Sequence, residues 1–303
     1  DRSVCAKISG EIAALYGNNG FNGELNLNFK GYAGQSFGAF LLKGMHIQLI
    51  GEANDYVCKG MNGGVLTIVP PQVDEKSSEQ VILGNTCLYG ATGGKLFALG
   101  KSGERFAVRN SGATAVTEGS GDHCCEYMTG GKIVILGSTG RNIGAGMTGG
   151  IAYILDENND LENKVNKEIV SIHKITNLKQ EEILLGILGE YQEKTKSLKA
   201  FKIINNWSKF KEIFKLPDLD PGFKDDPLPP PELQKIIKIL TADYSDEAEM
   251  IVIAVDYSLS PEYKFPHALS ESKDVLQSLS DFENEFSIDQ IICLFVETVQ
   301  EGI

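Results

Sequence analysis

The stretch GGKIVILG, Gly130 to Gly137, joins a pair of glycines to a run of aliphatic residues that ends at another glycine. A short apolar run bounded by glycines is typical of a buried strand. Glycine supplies at low cost the positive φ angle or the close backbone approach that a tight corner needs. The stretch therefore predicts a short strand that follows a sharp corner of the chain.

The same pattern recurs upstream and downstream of this stretch. Glycine pairs also precede the runs VLTIV, KLFAL and IAYIL, and the series Gly44, Gly63, Gly93, Gly112, Gly130 and Gly149 has spacings of 19, 30, 19, 18 and 19 residues. The long step contains the 11-residue polar loop PPQVDEKSSEQ, and without this loop its spacing is also 19. We expect these glycines to stack at equivalent corners, with equivalent strands that start at Val65, Leu96, Ile133 and Ile151.

A fixed period near 19 residues fits one coil of a parallel β-helix, which contains two or three short strands of about 3.3 Å per residue with corners between them. Each coil pairs with the next one and buries an apolar face, so that several coils are needed for stability. The sequence therefore predicts a mainly β protein with a parallel β-helix of about seven coils.

The composition changes along the chain and divides it into three parts. Of 33 glycines, 29 lie in residues 1–160, whereas eight of the ten prolines lie from Pro217 onward. Such shifts mark domain boundaries. We expect a β-helix domain over residues 1–172, a helical cap over 173–216, and a proline-rich linker with a small α/β tail over 217–303.

Helices are predicted at both ends of the β-helix, where they would cover its open coils. The first is an N-terminal capping helix with Val4, Ile8, Ile12 and Leu15 on one face and Ser3 as its N-cap. The second, Gln180 to Lys194, places Ile183, Leu184, Ile187, Leu188 and Tyr191 on one face. The third, Ser197 to Lys215, presents Phe201, Ile204, Trp207 and Phe214 to the last coil. Asn177 and Ser197 are the predicted N-caps of these two helices.

Charge and cysteine content exclude several classes of function. The 303-residue chain carries a net charge of −13, which disfavours nucleic acid and anionic lipid as partners. No apolar run approaches the 18 residues that a membrane span requires. The six cysteines form no CxxC pair, which argues against a disulfide framework or a zinc signature and favours a reducing compartment. The chain starts at Asp1 rather than methionine, so we expect a fragment or a processed product.

Five consecutive residues, Asp122 to Glu126 (DHCCE), combine the side chains of metal sites and of nucleophilic catalysis. If this segment were a strand, Cys124 and Cys125 would point to opposite faces and could not easily share a metal ion. The remaining histidines, His46, His173 and His267, form no second cluster. A Cys–His catalytic pair stays open, but we expect a structural corner, with one cysteine inside the coil and with Asp122 and His123 hydrogen-bonded to a turn.

Several stretches resemble a known family, among them GEANDYVCKGMNGG, NTCLYGATGG, GERFAVRNSGATAV and GDHCCEYMTGGKIVILG. They are similar to the C-terminal glycine-repeat (GXGXG) domain of glutamate synthases, and NTCLYGATGG and GDHCCEYMTGG resemble the ferredoxin-dependent type most. The resemblance covers residues 1–216. It implies a right-handed β-helix, in agreement with the period of 19.

The resemblance also implies a parent enzyme that converts glutamine, 2-oxoglutarate and reductant into two glutamates. In that family an amidotransferase domain releases ammonia, and a barrel domain with FMN and an iron–sulfur cluster uses it. The β-helix carries no catalytic residue there, so we expect no catalytic, cofactor-binding or metal-binding residue in this chain. Its partners would be the amidotransferase and FMN domains, with ferredoxin as an indirect partner, in the cytoplasm or a plastid stroma.

Two further stretches resemble a different class of enzyme. The motif GQSFG places Ser36 in a G-x-S-x-G pattern, and residues 250–279 resemble a segment of hormone-sensitive-lipase-type α/β-hydrolases. A nucleophile elbow needs a strand before the serine and a helix after it, and only AFLLK, a stretch too short for that helix, separates Gly38 from Gly44. We therefore do not expect Ser36 to be a nucleophile. The alternatives to a glutamate synthase scaffold are an inactive hydrolase relic or fusion, and a free-standing β-helix interaction protein.

Overall fold

The structure is a computed structural model that describes residues 4–17 and 21–219, with only the backbone of Asp218 and Leu219. The predicted cap residue Ser3 and the predicted tail from residue 220 onward lie outside the described residues.

The described elements begin with helix α1 (Ala6–Tyr16). Seven strands follow: β1 (Leu25–Ala33), β2 (Met45–Ala53), β3 (Val65–Val69), β4 (Lys95–Lys101), β5 (Thr114–Gly119), β6 (Thr129–Ile135) and β7 (Gly149–Leu155). The chain continues through β8 (Val170–Lys174), α2 (Leu178–Thr195), α3 (Leu198–Asn205), α4 (Trp207–Phe210) and β9 (Phe214–Leu219). Strand β9 crosses the boundary that we placed between residues 216 and 217.

These strands form a single sheet within the described residues, in the order β1-β2-β3-β4-β5-β6-β7-β9-β8. Each of the strands β1 to β7 pairs in parallel with the next strand along the sequence, as successive coils of a solenoid must. Strand β9 then pairs antiparallel with both β7 and β8. The predicted fold class, a mainly β parallel solenoid of about seven coils, is confirmed.

The predicted column of glycines is present, with one exception. A Cβ added to Gly93, Gly112, Gly130 or Gly149 would collide with a backbone carbonyl oxygen of the preceding coil, that of Asn62, Thr92, Ser111 and Thr129 respectively. A Cβ added to Gly63 would likewise collide with the backbone of the preceding coil, at Lys43. Gly44 instead has a positive φ angle, +85°. The second glycines of later pairs, such as Gly64 (+75°) and Gly150 (+85°), also have positive φ, so Gly44 matches the second glycine rather than the first.

The predicted starting residues of the strands fall into two neighbouring rows rather than one. Leu96 and Ile133 belong to the row Leu66, Leu96, Ala115, Ile133 and Ala152. Val65 pairs with Lys95, and Ile151 pairs with Lys132. The prediction of one equivalent row was wrong by a single position, because Lys95 and Lys132 occupy the first place after their glycine pairs.

Strands β4 to β7 bury both of their faces. Leu96, Ala115, Ile133 and Ala152 point into the solenoid, whereas the adjacent residues Phe97, Val116, Val134 and Tyr153 point outward into a second core, and all eight are fully buried. Continuous burial explains why these strands read as unbroken apolar runs rather than as alternating patterns.

Helix α1 covers the interior of the first coils, as predicted, but with fewer residues. Ile12 is buried, Val4 and Ile8 pack partly against the core, and the Ser9 hydroxyl lies 3.4 Å from the Met45 sulfur. Leu15 is 75% exposed, so its assignment to the buried face was wrong.

Helix α2 agrees with the sequence prediction. Asn177 caps it by accepting a hydrogen bond from the Lys179 N–H at 2.8 Å, and Leu184, Leu188 and Tyr191 are buried on its inner face. Ile183 and Ile187 on the same side are half-buried. The predicted N-cap and the predicted apolar face are both confirmed.

The helix predicted from Ser197 to Lys215 is shorter than expected. Ser197 caps α3 as predicted, with its hydroxyl accepting from the Ala200 N–H at 3.0 Å, but the helix ends at Asn205. A one-turn helix follows, and Phe214 begins β9. Phe201 is 56% exposed, and the residues that α3 buries are Ala200 and Ile203.

We expected the C-terminal helices to cover the last coil, and this prediction was wrong. Helix α2 contacts β3, β4 and β5, and the apolar faces of α2 and α3 join the outward core that contains Phe97 and Tyr153. The open edge of β7 is paired with β9 instead. The described helices include none that is long and apolar enough to cross a membrane.

Candidate functional site

The Asp122–Glu126 cluster lies between β5 and β6, in a segment whose backbone is not extended. His123, Cys125 and Tyr127 have φ values of 62°, 60° and 52°, while the residues between them do not have positive φ. The segment therefore alternates between the left-handed region and other conformations, so it is not a strand but a turn-rich segment between two strands, in line with the expected structural corner.

The same alternation occurs in six successive coils, at residues 36–40, 56–60, 86–90, 105–109, 123–127 and 142–146. We call each of these five-residue segments an arm. Within the arm 123–127, the N–H groups of His123 and Tyr127 donate to carbonyls of the next coil, and the N–H of Cys125 donates to Phe106 of the preceding coil, all at 2.8 Å. Stacked arms thus satisfy the backbone in both directions, which offsets the cost of about 1–2 kcal/mol for each left-handed non-glycine residue.

Both cysteines of the cluster lie inside the solenoid. Cys124 and Cys125 are fully buried, and their sulfur atoms are 3.6 Å apart. The hydrogen bond with Cys124 and burial both raise the pKa of the Cys125 thiol well above its usual range. A buried thiol with a raised pKa is a poor nucleophile and a poor metal ligand. The expectation that only one of the two cysteines packs inside the coil was therefore wrong.

Asp122 holds the corner between its own coil and the next. One carboxylate oxygen accepts a hydrogen bond from the Arg141 N–H at 2.7 Å, and the other accepts one from the Arg141 guanidinium at 3.1 Å. These two bonds hold the pKa of the Asp122 carboxyl below its usual range. Asp55 and Asn85 bond in the same way to the N–H groups of Asn85 and Glu104, so this is a repeated feature of the coils.

His123 and Glu126 belong to a polar chain along the outside of the arms. His123 Nδ1 lies 3.5 Å from Glu126 Oε1 and 3.1 Å from the side-chain nitrogen Nδ2 of Asn142. Arg105 Nη2 lies 3.0 Å from the other oxygen of Glu126. These contacts link side chains of three coils. Residues 4–17 and 21–219 include no group of three or more His, Cys, Asp or Glu side chains placed to hold a metal ion.

Ser36 occupies the first arm, at φ 61°, and its N–H donates to the Asp55 carbonyl at 2.8 Å. The chain that follows it forms a turn and enters β2 without a helix. Gly38 has φ +69°, and a Cβ there would lie 3.2 Å from Leu66 and 3.6 Å from the Cys58 sulfur. The second glycine of GQSFG is therefore explained by the arm geometry.

Sequence reasoning missed a buried carboxylate, Glu118 of β5. Its Oε1 atom accepts hydrogen bonds from the Tyr191 hydroxyl at 2.7 Å and the Ser197 hydroxyl at 2.6 Å. Glu118 is 1% exposed, and no hydrogen-bond partner of its buried Oε2 atom is found among the described residues. Burial raises the pKa of this carboxyl, and the bonds from Ser197 and Tyr191 oppose that rise. The network ties α2 and the start of α3 to the solenoid.

A cleft of about 420 Å³ lies beside this network, between the loop 70–80 and α3. Asp74 and Glu75 line one side, Lys199 and Lys202 line the other, and Leu99 contributes apolar surface. Lys199 Nζ is bound to Glu157 at 2.8 Å. The loop is the one that lengthens the coil period from 19 to 30 residues, so the sequence signal for this cleft was the break in the period.

The buried thiols lead to a first prediction. In a Cys293→Ser variant, which leaves only Cys5, Cys58, Cys87, Cys124 and Cys125, the native protein should not react with a thiol reagent such as DTNB at pH 8. All five are buried, and burial raises the pKa of Cys5 to about 11 and that of Cys87 to about 12. All five should react once urea unfolds the chain. Rapid native-state labelling of Cys124 or Cys125, located by mass spectrometry, would contradict the packing described above.

Comparisons with known proteins find similarity in two separate parts of the chain. The family model described as the GXGXG motif matches residues 1–216, and a model described as the alpha/beta hydrolase fold matches residues 236–296. The ferredoxin-dependent glutamate synthase of Antithamnion sp. is 63% identical over 212 residues, which cover 69% of this chain and 14% of that protein. Ferredoxin-dependent glutamate synthase 2 of Synechocystis is 58% identical over 228 residues, or 75% of this chain and 15% of that protein.

The chloroplastic ferredoxin-dependent glutamate synthase 2 of Arabidopsis thaliana is 54% identical over 244 residues, which cover 80% of this chain. The chain spans only 14% to 15% of the length of these three relatives. Because the GXGXG match covers residues 1–216, most of its length, the chain belongs to the GXGXG-motif family, and these residues form the glycine-repeat solenoid that it shares with ferredoxin-dependent glutamate synthases.

Proposed function

We propose that this chain acts as a non-catalytic scaffold of a glutamate synthase, on which the amidotransferase and FMN domains of the parent enzyme pack. The parent reaction would convert glutamine, 2-oxoglutarate and reductant into two glutamates. The observation that supports this role most directly is the identity of 63% to a ferredoxin-dependent glutamate synthase over a region that is only 14% of that enzyme.

The side chains that looked catalytic in the sequence support a structural role. Asp122 joins two coils, Cys124 and Cys125 fill the interior, and Ser36 occupies a turn of the first arm. Each residue serves the stacking of the solenoid. We therefore place the chemistry of the parent enzyme outside the described residues.

We also place the cofactors of the parent enzyme outside the solenoid. FMN and the iron–sulfur cluster would be held by the partner domains, with ferredoxin as their electron donor and only an indirect partner of the solenoid. Cys58, Cys87 and Cys125 lie in separate coils with raised thiol pKa values, which does not suit cluster ligation by thiolates. Since several plant relatives are named as chloroplastic, we propose a plastid stroma or a cytoplasm as the compartment.

The proposal can be tested by reconstitution. The Synechocystis relative would be produced without its region that matches this chain, and the complete 303-residue chain would be supplied as a separate polypeptide. We expect glutamate formation from glutamine and 2-oxoglutarate with reduced ferredoxin only when both polypeptides are present. The chain alone should form no glutamate and release no ammonia from glutamine.

Two outcomes of this experiment would count against the scaffold role. Glutamate formation that is equal with and without the chain would show that the solenoid is dispensable. Ammonia release by the chain alone, removed by a substitution in the Asp122–Glu126 cluster, would show that the cluster is catalytic. As a matched control, a Gly131→Ala variant, whose solenoid should be destabilised, should restore less activity than a Gly90→Ala variant.

A second candidate function, a fusion to part of a hydrolase, is favoured by the match of residues 236–296 to the alpha/beta hydrolase fold. That match lies outside the described residues and does not include Ser36. If an esterase activity were present, it should be unchanged in Ser36→Ala, because Ser36 belongs to an arm of the solenoid. Loss of ester turnover in this variant would favour the hydrolase over the scaffold.

A further inference from the structure

The first strand of the solenoid, β1, has a free edge within the described part of the chain. Its neighbour on one side is β2, and β1 ends the sheet order on the other side. The Leu25 N–H donates to the Gly44 carbonyl at 2.8 Å, and the Ala33 carbonyl accepts from the Asn54 N–H at 3.1 Å. Because alternate residues of a strand face the same neighbour, the odd-numbered backbone groups of β1 face β2. The N–H and C=O groups of residues 26, 28, 30 and 32 therefore face the open edge.

The apolar side of β1 is also incompletely covered. Leu25, Leu27 and Phe29 are only half-buried, whereas their partners in β2, such as Ile47 and Leu49, are each 2% exposed. An apolar row that faces the solenoid interior becomes fully buried only when a further layer lies over it. The β7 end of the parallel stack differs, because β9 pairs with β7.

Gly31 of β1 has a backbone conformation like that of Gly51 in β2, but no strand of the described residues lies next to it on the open side. In β2, Gly51 has φ +150°, and a Cβ there would collide with the carbonyl oxygen of Gly31. Gly31 of β1 pairs with Gly51 and has φ +118°, but a Cβ at Gly31 would meet no atom within 4 Å. The space in front of Gly31 is thus the space that a carbonyl of one more parallel strand would occupy.

An exposed aromatic side chain belongs to this strand. Tyr32 of β1 is 87% exposed. Helix α1 buries Ser9 and Ile12, and Cys5 at its N-cap is also buried, whereas β1 remains the last strand of the described sheet. A long free edge with half-buried apolar residues and an exposed tyrosine favours the addition of a strand from another polypeptide segment.

We propose that the free edge of β1 binds, in parallel orientation, an extended segment of the glutamate synthase polypeptide that lies outside this chain, and that this segment adds one strand to the solenoid. The inference rests on the proposed function. The relatives contain ample sequence for this role, since the chain spans only 14% to 15% of their length. The segment should have apolar residues at alternate positions, to cover Leu25, Leu27 and Phe29, and polar residues opposite Asn26, Asn28 and Lys30.

A second copy of this chain fits the same edge less well. Two copies related by a two-fold axis would pair their β1 strands antiparallel. The clearance at Gly31 instead repeats the parallel geometry that Gly51 shows toward β1. Lys30 at the edge also disfavours open-ended pairing of identical strands, since charged edge residues are a common protection against aggregation.

Hydrogen exchange tests the proposal residue by residue. The probe is the Synechocystis relative produced without its matching region, and the sample is the complete chain. In the chain alone, the amides of Asn26, Asn28, Lys30 and Tyr32 should exchange fast, while those of Leu27 and Phe29 should be protected by β2. Addition of the probe should slow the four edge amides by about tenfold or more, because a strand hydrogen bond then has to open before exchange. Unchanged edge amides in the bound chain would overturn the proposal.

A proline variant gives an independent test. Asn28→Pro removes one N–H from the free edge without removing a bond to β2, and Asn28→Ala is the matched control that keeps this N–H. The two variants should have the same melting temperature, but Asn28→Pro should bind the probe about tenfold or more weakly than Asn28→Ala. Equal binding by both variants would overturn the edge proposal and leave the scaffold function standing.

The remaining outcomes are also decisive. A wild-type chain that does not bind the probe at all would contradict both the scaffold function and the edge proposal. Protection of the four edge amides without probe, growing with protein concentration and accompanied by a dimer in light scattering, would assign the edge to a second copy and overturn our choice of partner.

Discussion

Replacing Gly131 with alanine should reduce the free energy of unfolding by about 3–5 kcal/mol, because it combines backbone strain with overpacking, each of which costs about 1–3 kcal/mol. Gly131 has φ +90°, and a Cβ there would collide with the Ala113 carbonyl and lie 2.5 Å from the Asn110 side-chain amide. That amide is buried and donates to the carbonyls of Ala113 and Gly130 at 3.0 and 3.1 Å. The added methyl group would therefore disturb two coils at once.

Urea unfolding and thermal melting measure this effect, and we expect the melting temperature to fall by about 10 °C. The matched control is Gly90→Ala. Gly90 has φ +61°, but a Cβ there would meet no atom within 4 Å, so this variant should lose only about 1 kcal/mol from strain. Equal losses in the two variants would show that the contact between coils at Gly131 contributes nothing beyond its φ angle.

Replacing Tyr191 with phenylalanine should reduce the free energy of unfolding by about 1.5–3 kcal/mol, the usual contribution of a hydrogen bond to a charged group. The Tyr191 hydroxyl lies 2.7 Å from Glu118 Oε1 and 3.1 Å from the Ala98 carbonyl. Without the hydroxyl, the buried Glu118 carboxylate keeps only the bond from Ser197. Denaturation of Tyr191→Phe at pH 7 should show this loss, and a change below about 0.5 kcal/mol would contradict the role of the network.

The pH dependence of stability should carry the signature of Glu118. Burial raises the pKa of this carboxyl in the folded protein above its value in the unfolded chain. Over the interval between those two pKa values the folded state binds more protons than the unfolded state, so stability falls as the pH rises through it. The stabilisation at low pH is therefore lost toward neutral pH.

A Glu118→Gln variant isolates this contribution, because Asp122 and Glu181 have lowered pKa values and act with the opposite sign in both proteins. The difference in unfolding free energy, wild type minus Glu118→Gln, should decrease from pH 4 to pH 7. A difference that stays constant with pH would show that Glu118 titrates alike in the folded and unfolded states.

For helices α2 and α3, local sequence signals predicted the caps and the apolar face of α2 but not the surface against which the helices pack. The N-caps Asn177 and Ser197 and the apolar face of α2 were predictable, because capping bonds and helical periodicity depend on neighbouring residues. Where the helices pack was not predictable. Phe97, Val116, Val134 and Tyr153 make the outward face of the strands as apolar as the inward one, and the helices cover that face rather than the last coil.

The sequence by itself determined the solenoid, because its corner glycines repeat with the coil. Gly63, Gly93, Gly112, Gly130 and Gly149 are needed where one coil passes too close to the next for a Cβ, and that requirement leaves a mark in the sequence. The left-handed backbone conformation of the arms, by contrast, depends on the tertiary structure. Cys125 and Tyr127 are not residues that favour the left-handed region, and they adopt it because hydrogen bonds to the coils on both sides hold them there. The same reason applies to Glu118, whose burial depends on Tyr191 and Ser197, more than 70 residues away in the sequence.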